Sequence, residues 1–286
     1  MSKREYVFGS KPHDFTAAIQ ESVLQVGKIK TPPTLSRSEP APSASSQTES
    51  ISTLAEQPVQ RPALGSQSPA FPCPDWDNEA RVIDCGDRTV NLLLRLEHPP
   101  LALFDNFLSG DECDALLELA KSRMTRSLAV ETSTGGSALH PDRTSRGMFF
   151  GRGESDLVQR IEDRIARLLR WPAENGEGIQ VLHYAHGCEY KPHYDYFDPS
   201  LSGTPALTAR GGQRVATLLL SLSPPSRGGG TVFPDLGLNV TPLRGQALYF
   251  GYNRPHPDSL SLHGGSPVLD GEKWVATKWL REREFR

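Results

Sequence analysis

The chain has 286 residues, the length of one large or two smaller domains, and its 31 Lys and Arg against 34 Asp and Glu give a formal net charge of −3. This near-neutral balance excludes a protein that binds nucleic acid or an anionic membrane through bulk charge alone. The four cysteines form no Cys-x-x-Cys pair, which excludes a zinc ribbon and makes a disulfide framework unexpected. The N-terminal residues lack the apolar region of a signal peptide, and no apolar run reaches the length of a bilayer span. The expectation is therefore a cytoplasmic protein with no membrane partner.

The first 75 residues differ in composition from the rest of the chain. Residues 31–75 contain nine Pro and nine Ser but a single aromatic residue, Phe71. Such a segment buries too little apolar surface to offset the entropy lost on ordering, so we predict a disordered Pro/Ser-rich linker. A docking motif for a partner is the alternative interpretation. Residues 1–30 carry apolar side chains at helical spacing, which predicts a short amphipathic helix; these are Phe15, Ile19, Val23 and Val26.

The folded domain is predicted at residues 76–286 and begins with a strand near 92–96, followed by two helices. Ser109 and Glu112 have the spacing of a capping box at a helix N-terminus. The apolar residues that follow repeat at helical spacing: Cys113, Leu116, Leu117, Ala120 and Met124. A second helix is predicted over residues 155–170 on the same grounds. Both helices are expected to form a packing layer.

After Trp171 the hydrophobic period changes from helical to two, which is typical of half-buried strands. The predicted strands, separated by glycine and proline clusters, cover residues 178–184, 214–222, 229–233, 246–250 and 274–280. Several short strands with turn signals between them indicate an antiparallel sandwich or barrel. With the two helices in front, the fold class is α+β.

Histidine is concentrated in this second half, where five of the eight histidines follow residue 180. His193 and Asp195 form a His-x-Asp pair, and at a strand end positions i and i+2 point to the same side. One more histidine from a distant strand would complete a 2-His-1-carboxylate set, which leaves open positions on Fe(II). His263 and His256 are the candidates. The pair alone is a weak signal, because single buried histidines are commonly hydrogen-bonded core residues and zinc accepts similar ligands.

Longer motifs favour the metal-site interpretation. In chain order they are YAHGCEYKPHYDYF (184–197), GGQRVATLLLSLS (211–223), GGGTVFP (228–234) and LHGGSPVLDGEKWVATKWL (262–280). Together they resemble the prolyl 4-hydroxylase-like branch of the 2-oxoglutarate- and Fe(II)-dependent oxygenases. LFDNFLSGDECDALLELA (103–120) and RTSRGMFF (143–150) extend the resemblance to about residues 100–283. The implied fold is a double-stranded β-helix, or jelly roll, with N-terminal helices packed on one sheet.

The resemblance also implies ligands for iron and for 2-oxoglutarate. The matched iron ligands are His193, Asp195 and His263. Lys273 matches the cation that pairs with the distal carboxylate of 2-oxoglutarate, and such a carboxylate requires a charged partner once the other end is bound to metal. Tyr184 and Thr231 match hydroxyl donors to the same carboxylate.

A third group of residues matches positions that face a peptide substrate in similar enzymes: Tyr190, Arg214 and Trp279. For the two aromatic residues the alternative interpretation is ordinary packing, and for Arg214 it is a charge at a sheet edge. Arg281 stands where some relatives have a histidine near the substrate groove, which places the peptide specificity in question but not the metal centre.

The implied activity is hydroxylation of a prolyl residue in a peptide or protein, coupled to decarboxylation of 2-oxoglutarate to succinate and CO2. It requires Fe(II), 2-oxoglutarate and O2, with L-ascorbate as the expected reductant. Two alternatives remain open: the same chemistry on a non-prolyl side chain or small molecule, and a non-catalytic metal- or peptide-binding barrel. No basic stripe with interleaved aromatic residues is present, so no nucleic-acid partner is expected. The sequence leaves the oligomeric state undetermined.

Overall fold

The computed structural model describes residues 71–286, apart from residues 78, 128, 132–135 and 139–141. The helix predicted within residues 1–30, and residues 31–70 of the predicted linker, lie outside the described residues. Residues 71–75 were also assigned to the linker, yet they pack on the domain. The Tyr249 hydroxyl donates to the Pro72 carbonyl, and the amide of buried Cys73 donates to Leu169 at 3.0 Å. The packed region therefore includes residues before the expected start at Trp76, because these residues bury apolar surface against the core.

The described residues form seventeen strands and three α-helices. In chain order they are β1 (Val82–Asp84), β2 (Thr89–Leu96), β3 (Leu101–Asp105), α1 (Gly110–Lys121), β4 (Thr125–Arg126), β5 (Ala129–Glu131), β6 (Gly136–Ala138), β7 (Arg146–Phe150), α2 (Asp156–Leu169), β8 (Ile179–Tyr184), β9 (Tyr190–His193), α3 (Thr204–Thr208), β10 (Arg214–Ser223), β11 (Arg227–Gly228), β12 (Thr231–Phe233), β13 (Leu238–Val240), β14 (Ala247–Gly251), β15 (His263–Gly265), β16 (Val268–Asp270) and β17 (Lys273–Arg281). The two helices and the strands predicted within residues 76–286 are all present. No helix among the described residues combines the length and apolar character needed to cross a bilayer.

Two antiparallel sheets make up the barrel. The major sheet has nine strands in the order β1-β2-β3-β14-β10-β17-β8-β7-β4, and the minor sheet has four in the order β13-β12-β15-β9. From β8 onward the chain alternates between them, so that sequence neighbours such as β8 and β9, or β14 and β15, lie in different sheets. This alternation is the jelly-roll arrangement, and it confirms the α+β fold class expected from the sequence.

The two faces of the major sheet have different roles, and β10 shows how the sequence separates them. Ala216, Leu218 and Leu220 are fully buried in the core that the sheet shares with α1 and α2. The residues between them, Thr217 and Leu219, point the other way, toward the minor sheet. Because side chains alternate across a strand, one continuous apolar run supplies both the helix-packing face and the lining of the barrel interior.

The helices begin where the sequence predicts and are held to the sheet by apolar packing and buried ion pairs. Ser109 and Glu112 form the predicted capping box: each side chain accepts a hydrogen bond from the other residue's amide. Arg164 of α2 joins the two helices through an ion pair with Glu112, and Lys278 of β17 forms a buried ion pair with Glu162 of α2. The N-terminal helices thus form one layer on the outer face of the major sheet, which leaves the inner face for the site.

Candidate active site

The minor sheet brings the two distant histidines of the predicted metal set into direct register. His193 ends β9 and His263 opens β15, and the two residues are Cα partners in the antiparallel pairing of these strands. Asp195 follows His193 by two residues, so its carboxylate faces the same side. Ligand atoms of all three residues lie within 4.8 Å of one another. His263 is the first residue of β15, and its pairing with His193 fixes its position.

Backbone carbonyls set the tautomer of both imidazoles. His193 Nδ1 lies 2.9 Å from the Lys191 carbonyl oxygen, and His263 Nδ1 lies 3.0 Å from that of Ser261. A carbonyl oxygen only accepts, so each Nδ1 carries the proton and each Nε2 presents a lone pair. Both Nε2 atoms face Asp195, at 3.6 Å from His193 and 3.5 Å from His263. Burial lowers the pKa of His263 to about 4, which keeps its ring neutral and able to bind metal at neutral pH.

A chain of two hydroxyls holds the carboxylate. Burial opposes ionisation of Asp195, but His263, His193 and Arg214 outweigh it and lower the pKa of this carboxyl below its usual range. The Thr217 hydroxyl donates to Asp195 Oδ2 at 2.7 Å, and the Tyr252 hydroxyl lies 2.9 Å from Thr217 Oγ1. Because the single Thr217 proton is already donated, Tyr252 is the donor to Thr217. Two imidazole rings oriented by backbone carbonyls and one ionised, oriented carboxylate fit Fe(II), leaving coordination positions for other ligands.

Next to this set lies a small space that we call the inner cavity. The residues that line it include His193, Asp195, His263, Tyr184, Thr231, Lys273, Gly265 and Trp279. Lys273 and Tyr184 are Cα partners on β17 and β8, and the Lys273 ammonium lies 5.4 Å from the centre of the Tyr184 ring. Burial lowers the pKa of Lys273 to about 8. Among the described residues no carboxylate forms an ion pair with this lysine, so the inner cavity presents a cation that fits the free carboxylate of a dicarboxylic ligand.

The metal set also opens on a larger space, the outer cleft, with a volume of about 610 Å³. His193 and Asp195 line both spaces. The remaining lining residues are mainly aromatic or cationic; they include Phe149, Tyr190, Tyr194, Tyr196, Phe197, Trp279, Arg123, Arg126, Arg143 and Arg214. Aromatic surfaces are the usual contact for proline-rich peptides. The outer cleft therefore has the lining of a peptide site, and the metal set contributes to that lining.

The three residues expected to face a peptide all line the outer cleft, and each also has structural contacts. Tyr190 stacks on His193 with 3.7 Å between ring centres, and burial raises the pKa of its hydroxyl to about 12. Trp279 lies under the guanidinium of Arg214 at 3.9 Å, and its buried indole N–H has no hydrogen-bond partner among the described residues. Such an unpartnered buried donor is available to a bound ligand.

Arg214 is not at a sheet edge, which removes the alternative interpretation of its charge. Its strand, β10, lies between β14 and β17, and its guanidinium forms a two-pronged ion pair with Glu177 at 2.6 and 2.9 Å. Arg281 is also buried and reaches the same carboxylate at 3.2 Å, while donating to the Leu207 and Arg210 carbonyls near α3. Glu177 thus holds two arginines in place, one of them on the wall of the outer cleft.

Two further histidines among the described residues, His256 and His183, lie outside the metal set. His256 lies on an exposed loop, 2.8 Å from the Asp258 carboxylate. His183 stacks on Trp274 and lies 3.1 Å from Glu272. Each of these imidazoles contacts a carboxylate other than Asp195, so His263 is the histidine that completes the metal set with His193.

Sequence reasoning missed four residues of the site: Arg143, Thr217, Tyr252 and Glu177. Arg143 is buried, donates to Gln180 at 3.0 Å, and lies 4.9 Å over the Tyr190 ring. Arg143 is the first residue of the motif RTSRGMFF (143–150), so the family resemblance could have identified it. The other three act through Asp195 or Arg214, and the residue type of a hydroxyl or carboxylate side chain does not reveal such a contact.

Comparison with known sequences agrees with this geometry. The sequence model of the 2OG-Fe(II) oxygenase superfamily matches residues 179–281, which span β8 to β17. Prolyl 4-hydroxylase 5 of Arabidopsis thaliana is 43% identical over 209 residues, covering 66% of this chain and 70% of the relative. Prolyl 4-hydroxylase 2 of the same plant is 40% identical over 211 residues, covering 65% and 69%.

A solved structure supports the fold. The viral collagen prolyl hydroxylase of Paramecium Bursaria Chlorella virus-1, determined as a 2OG complex, is 28% identical with a TM-score of 0.50. The match covers 63% of this chain and 95% of that one. The residues matched by the family model therefore include the minor sheet, the metal set and Lys273.

Proposed function

This chain belongs to the 2-oxoglutarate- and Fe(II)-dependent prolyl 4-hydroxylase family, and we propose on that premise that it hydroxylates prolyl residues in a peptide or protein. The observation that carries the proposal is that His193 and Asp195 line both the inner cavity and the outer cleft. A cosubstrate held by Lys273 and a peptide held by aromatic side chains would therefore meet at the same three ligands. The aromatic lining of the outer cleft favours a proline-containing peptide over a small molecule.

In this proposal His193, Asp195 and His263 hold iron, and Lys273 pairs with the distal carboxylate of 2-oxoglutarate. Tyr184 and Thr231, which line the inner cavity beside Lys273, donate hydroxyl hydrogen bonds to that carboxylate. When bound, iron and 2-oxoglutarate supply the oxidation: one oxygen atom of O2 enters the prolyl C–H bond, and the other enters succinate as CO2 is released.

The protein's own contribution is binding, orientation and control of charge. Carbonyl partners fix the two imidazoles, and the Tyr252–Thr217 hydroxyl chain fixes the carboxylate. Tyr190 and Trp279 supply flat apolar surfaces for a proline ring, and the indole N–H is a donor for a peptide carbonyl. Arg214, oriented by Glu177, is a second donor on the same wall.

The test is succinate release from labelled 2-oxoglutarate with Fe(II) and a panel of proline-containing peptides, with mass spectrometry of the peptides. The expected result is peptide-dependent succinate together with a gain of one oxygen on proline. The Asp195→Ala variant is the inactive control, and His256→Ala, on an exposed loop outside the metal set, is the matched active one. Succinate release that no peptide increases, or an added oxygen on a residue other than proline, would contradict the assignment of a prolyl substrate.

We also propose that ascorbate serves as the reductant that restores Fe(II) after cycles without substrate. Omitting it should leave the first turnovers unchanged and shorten the linear phase of succinate release. An equal time course with and without ascorbate would remove this part of the proposal.

A further inference from the structure

The outer cleft is strongly basic in a chain whose formal net charge is −3. Four arginines line it, Arg123, Arg126, Arg143 and Arg214. Asp195 is the only carboxylate among the described residues that line the cleft, and it belongs to the metal set. The basic character is therefore local to this surface and contrasts with the net charge of the molecule.

Protein carboxylates offset part of this charge but not all of it. Arg123 is paired with Glu154, and Arg214 is paired with Glu177. Glu177 also serves Arg281, so one carboxylate is shared by two guanidinium groups. Arg126 is exposed on β4 and donates to the Arg143 carbonyl at 3.5 Å, and no carboxylate among the described residues pairs with it. Arg126 therefore offers an unneutralised cation to a ligand in the cleft.

The loaded metal centre would not neutralise this charge either. Fe(II) and protonated Lys273 together carry as much positive charge as Asp195 and doubly ionised 2-oxoglutarate carry negative charge. The centre is thus neutral once both are bound, and Arg126 keeps its positive charge for the peptide. Since potentials across a binding interface are complementary in specific complexes, the expected peptide carries negative charge.

Arg126 is connected to the reacting end of the cleft through a short series of contacts. Its guanidinium binds the Arg143 carbonyl, and the Arg143 guanidinium covers the Tyr190 ring. Tyr190 in turn stacks on His193. An extended peptide with its proline at the metal set would pass Arg126 within a few residues, because such a chain advances about 3.3 Å per residue.

From this we infer that the outer cleft selects peptides with an acidic residue within a few positions of the hydroxylated proline, and that Arg126 is the main residue that pairs with this acidic side chain. The inference rests on the proposed function and names the substrate class of the same site. Glutamate and aspartate are the residues that meet this preference, since a guanidinium binds a carboxylate through parallel N–H donors.

The experiment starts from whichever neutral peptide of the panel is hydroxylated. That host peptide is resynthesised with Glu, Gln or Lys at each of the positions two to four residues before and after the proline. Two quantities are measured: KM from succinate release, and Kd by fluorescence anisotropy of labelled peptide with the protein free of iron. We expect at least one Glu peptide to bind about three- to five-fold more tightly than its Gln counterpart, the range of an exposed ion pair. The Lys peptide should bind more weakly than the Gln peptide, and added salt should reduce both differences.

Variants assign the effect to Arg126. Arg126→Gln should remove the Glu-over-Gln preference, and Arg126→Glu should reverse the preference toward Lys. Arg227→Gln, which removes an exposed arginine outside the cleft, should keep the wild-type preference. Equal Kd values for the Glu and Gln peptides at every position, or a preference that survives in Arg126→Gln, would overturn the inference. Hydroxylation of the neutral host peptide in that same experiment would leave the proposed function standing, so the two failures are distinguishable.

Discussion

At the scale of single residues, Lys273 shows how burial tunes a side chain for one ligand. The ammonium lies in the inner cavity beside Tyr184, and burial lowers its pKa to about 8. Burial without a counter-ion destabilises the charged form of this lysine. A carboxylate that enters the cavity therefore pairs with the ammonium and offsets the cost of its desolvation. The same environment makes the lysine titratable close to physiological pH.

The first prediction concerns the charge of this residue. Lys273→Ala should weaken 2-oxoglutarate binding about 10- to 100-fold, the range expected when a hydrogen bond to a charged group is lost. Lys273→Arg, which keeps the charge, should retain more affinity than Lys273→Ala. KM for 2-oxoglutarate, together with quenching of tryptophan fluorescence by the cosubstrate, measures both variants. Unchanged affinity in Lys273→Ala would show that another cation binds the carboxylate.

The second prediction concerns pH. Below about pH 8 Lys273 is already protonated and pairs with the carboxylate directly. Above this pH the free protein has lost the proton and must regain it on binding, so the Kd of 2-oxoglutarate should rise up to about tenfold per pH unit. In Lys273→Arg the rise in Kd above about pH 8 should disappear, because guanidinium remains charged. A Kd that stays constant between pH 7 and 10 in the wild type would contradict the assignment.

At the scale of secondary-structure elements, the pairing of β9 with β15 sets the geometry of the metal set. His193 and His263 face each other only because these two short strands are in register, and that pairing has an irregularity between His263 and Gly265. Gly264 lies at the closest approach. A Cβ built on it would be 2.8 Å from the Tyr190 carbonyl oxygen and 3.0 Å from the Pro192 nitrogen, both backbone atoms. Neither atom can move without displacing β9.

The third prediction follows from this contact. Gly264→Ala should separate the strands and lower metal affinity at least about tenfold, because the two imidazoles no longer converge. Gly265→Ala is the matched control on the same strand, since its added Cβ would meet Tyr190 atoms only at 3.7 and 3.9 Å, an ordinary contact distance. Titration with Co(II), followed by its visible absorption, measures both proteins. Equal affinities would mean that β9 adjusts without moving His193.

At the scale of the whole molecule, the barrel is joined to its helical layer by charged as well as apolar contacts. Lys278 projects from β17 on the face opposite Lys273, Thr277 and Trp279, and pairs with Glu162 of α2. Both side chains are almost completely buried, and burial lowers the pKa of Lys278. One strand therefore supplies the cosubstrate cation on its inner face and an anchor for the helices on its outer face.

The fourth prediction tests this anchor. Lys278→Met leaves the Glu162 carboxylate buried without its cation and should destabilise the protein by about 3–5 kcal/mol. The double variant with Glu162→Leu should recover much of that loss, because it removes the uncompensated charge. Urea denaturation monitored by circular dichroism gives the free energies of unfolding. Equal stability of the single and double variants would mean that water or another cation compensates Glu162.

Much of this architecture was accessible from the sequence because it depends on local patterns. The capping box at Ser109, the period of α2 and the alternation along β10 and β17 each follow from side-chain spacing, and the structure contains all of them. The segment before Trp76 shows the limit of composition. Its last residues look like linker but pack on the core, because a few buried side chains suffice to hold a proline-rich chain.

Residue types and their spacing were sufficient to predict the metal-binding residue types and the α+β class, and the ordered motifs were sufficient to identify the family. The pairing of β9 with β15 in register, the support of Asp195 by Thr217 and Tyr252, and the contact of Glu177 with Arg214 became visible only in the folded structure. The fold also decided which arginines share the outer cleft. The physical reason is that strand pairing across two sheets joins residues distant in the chain, and a side chain carries no record of the partner it will meet there.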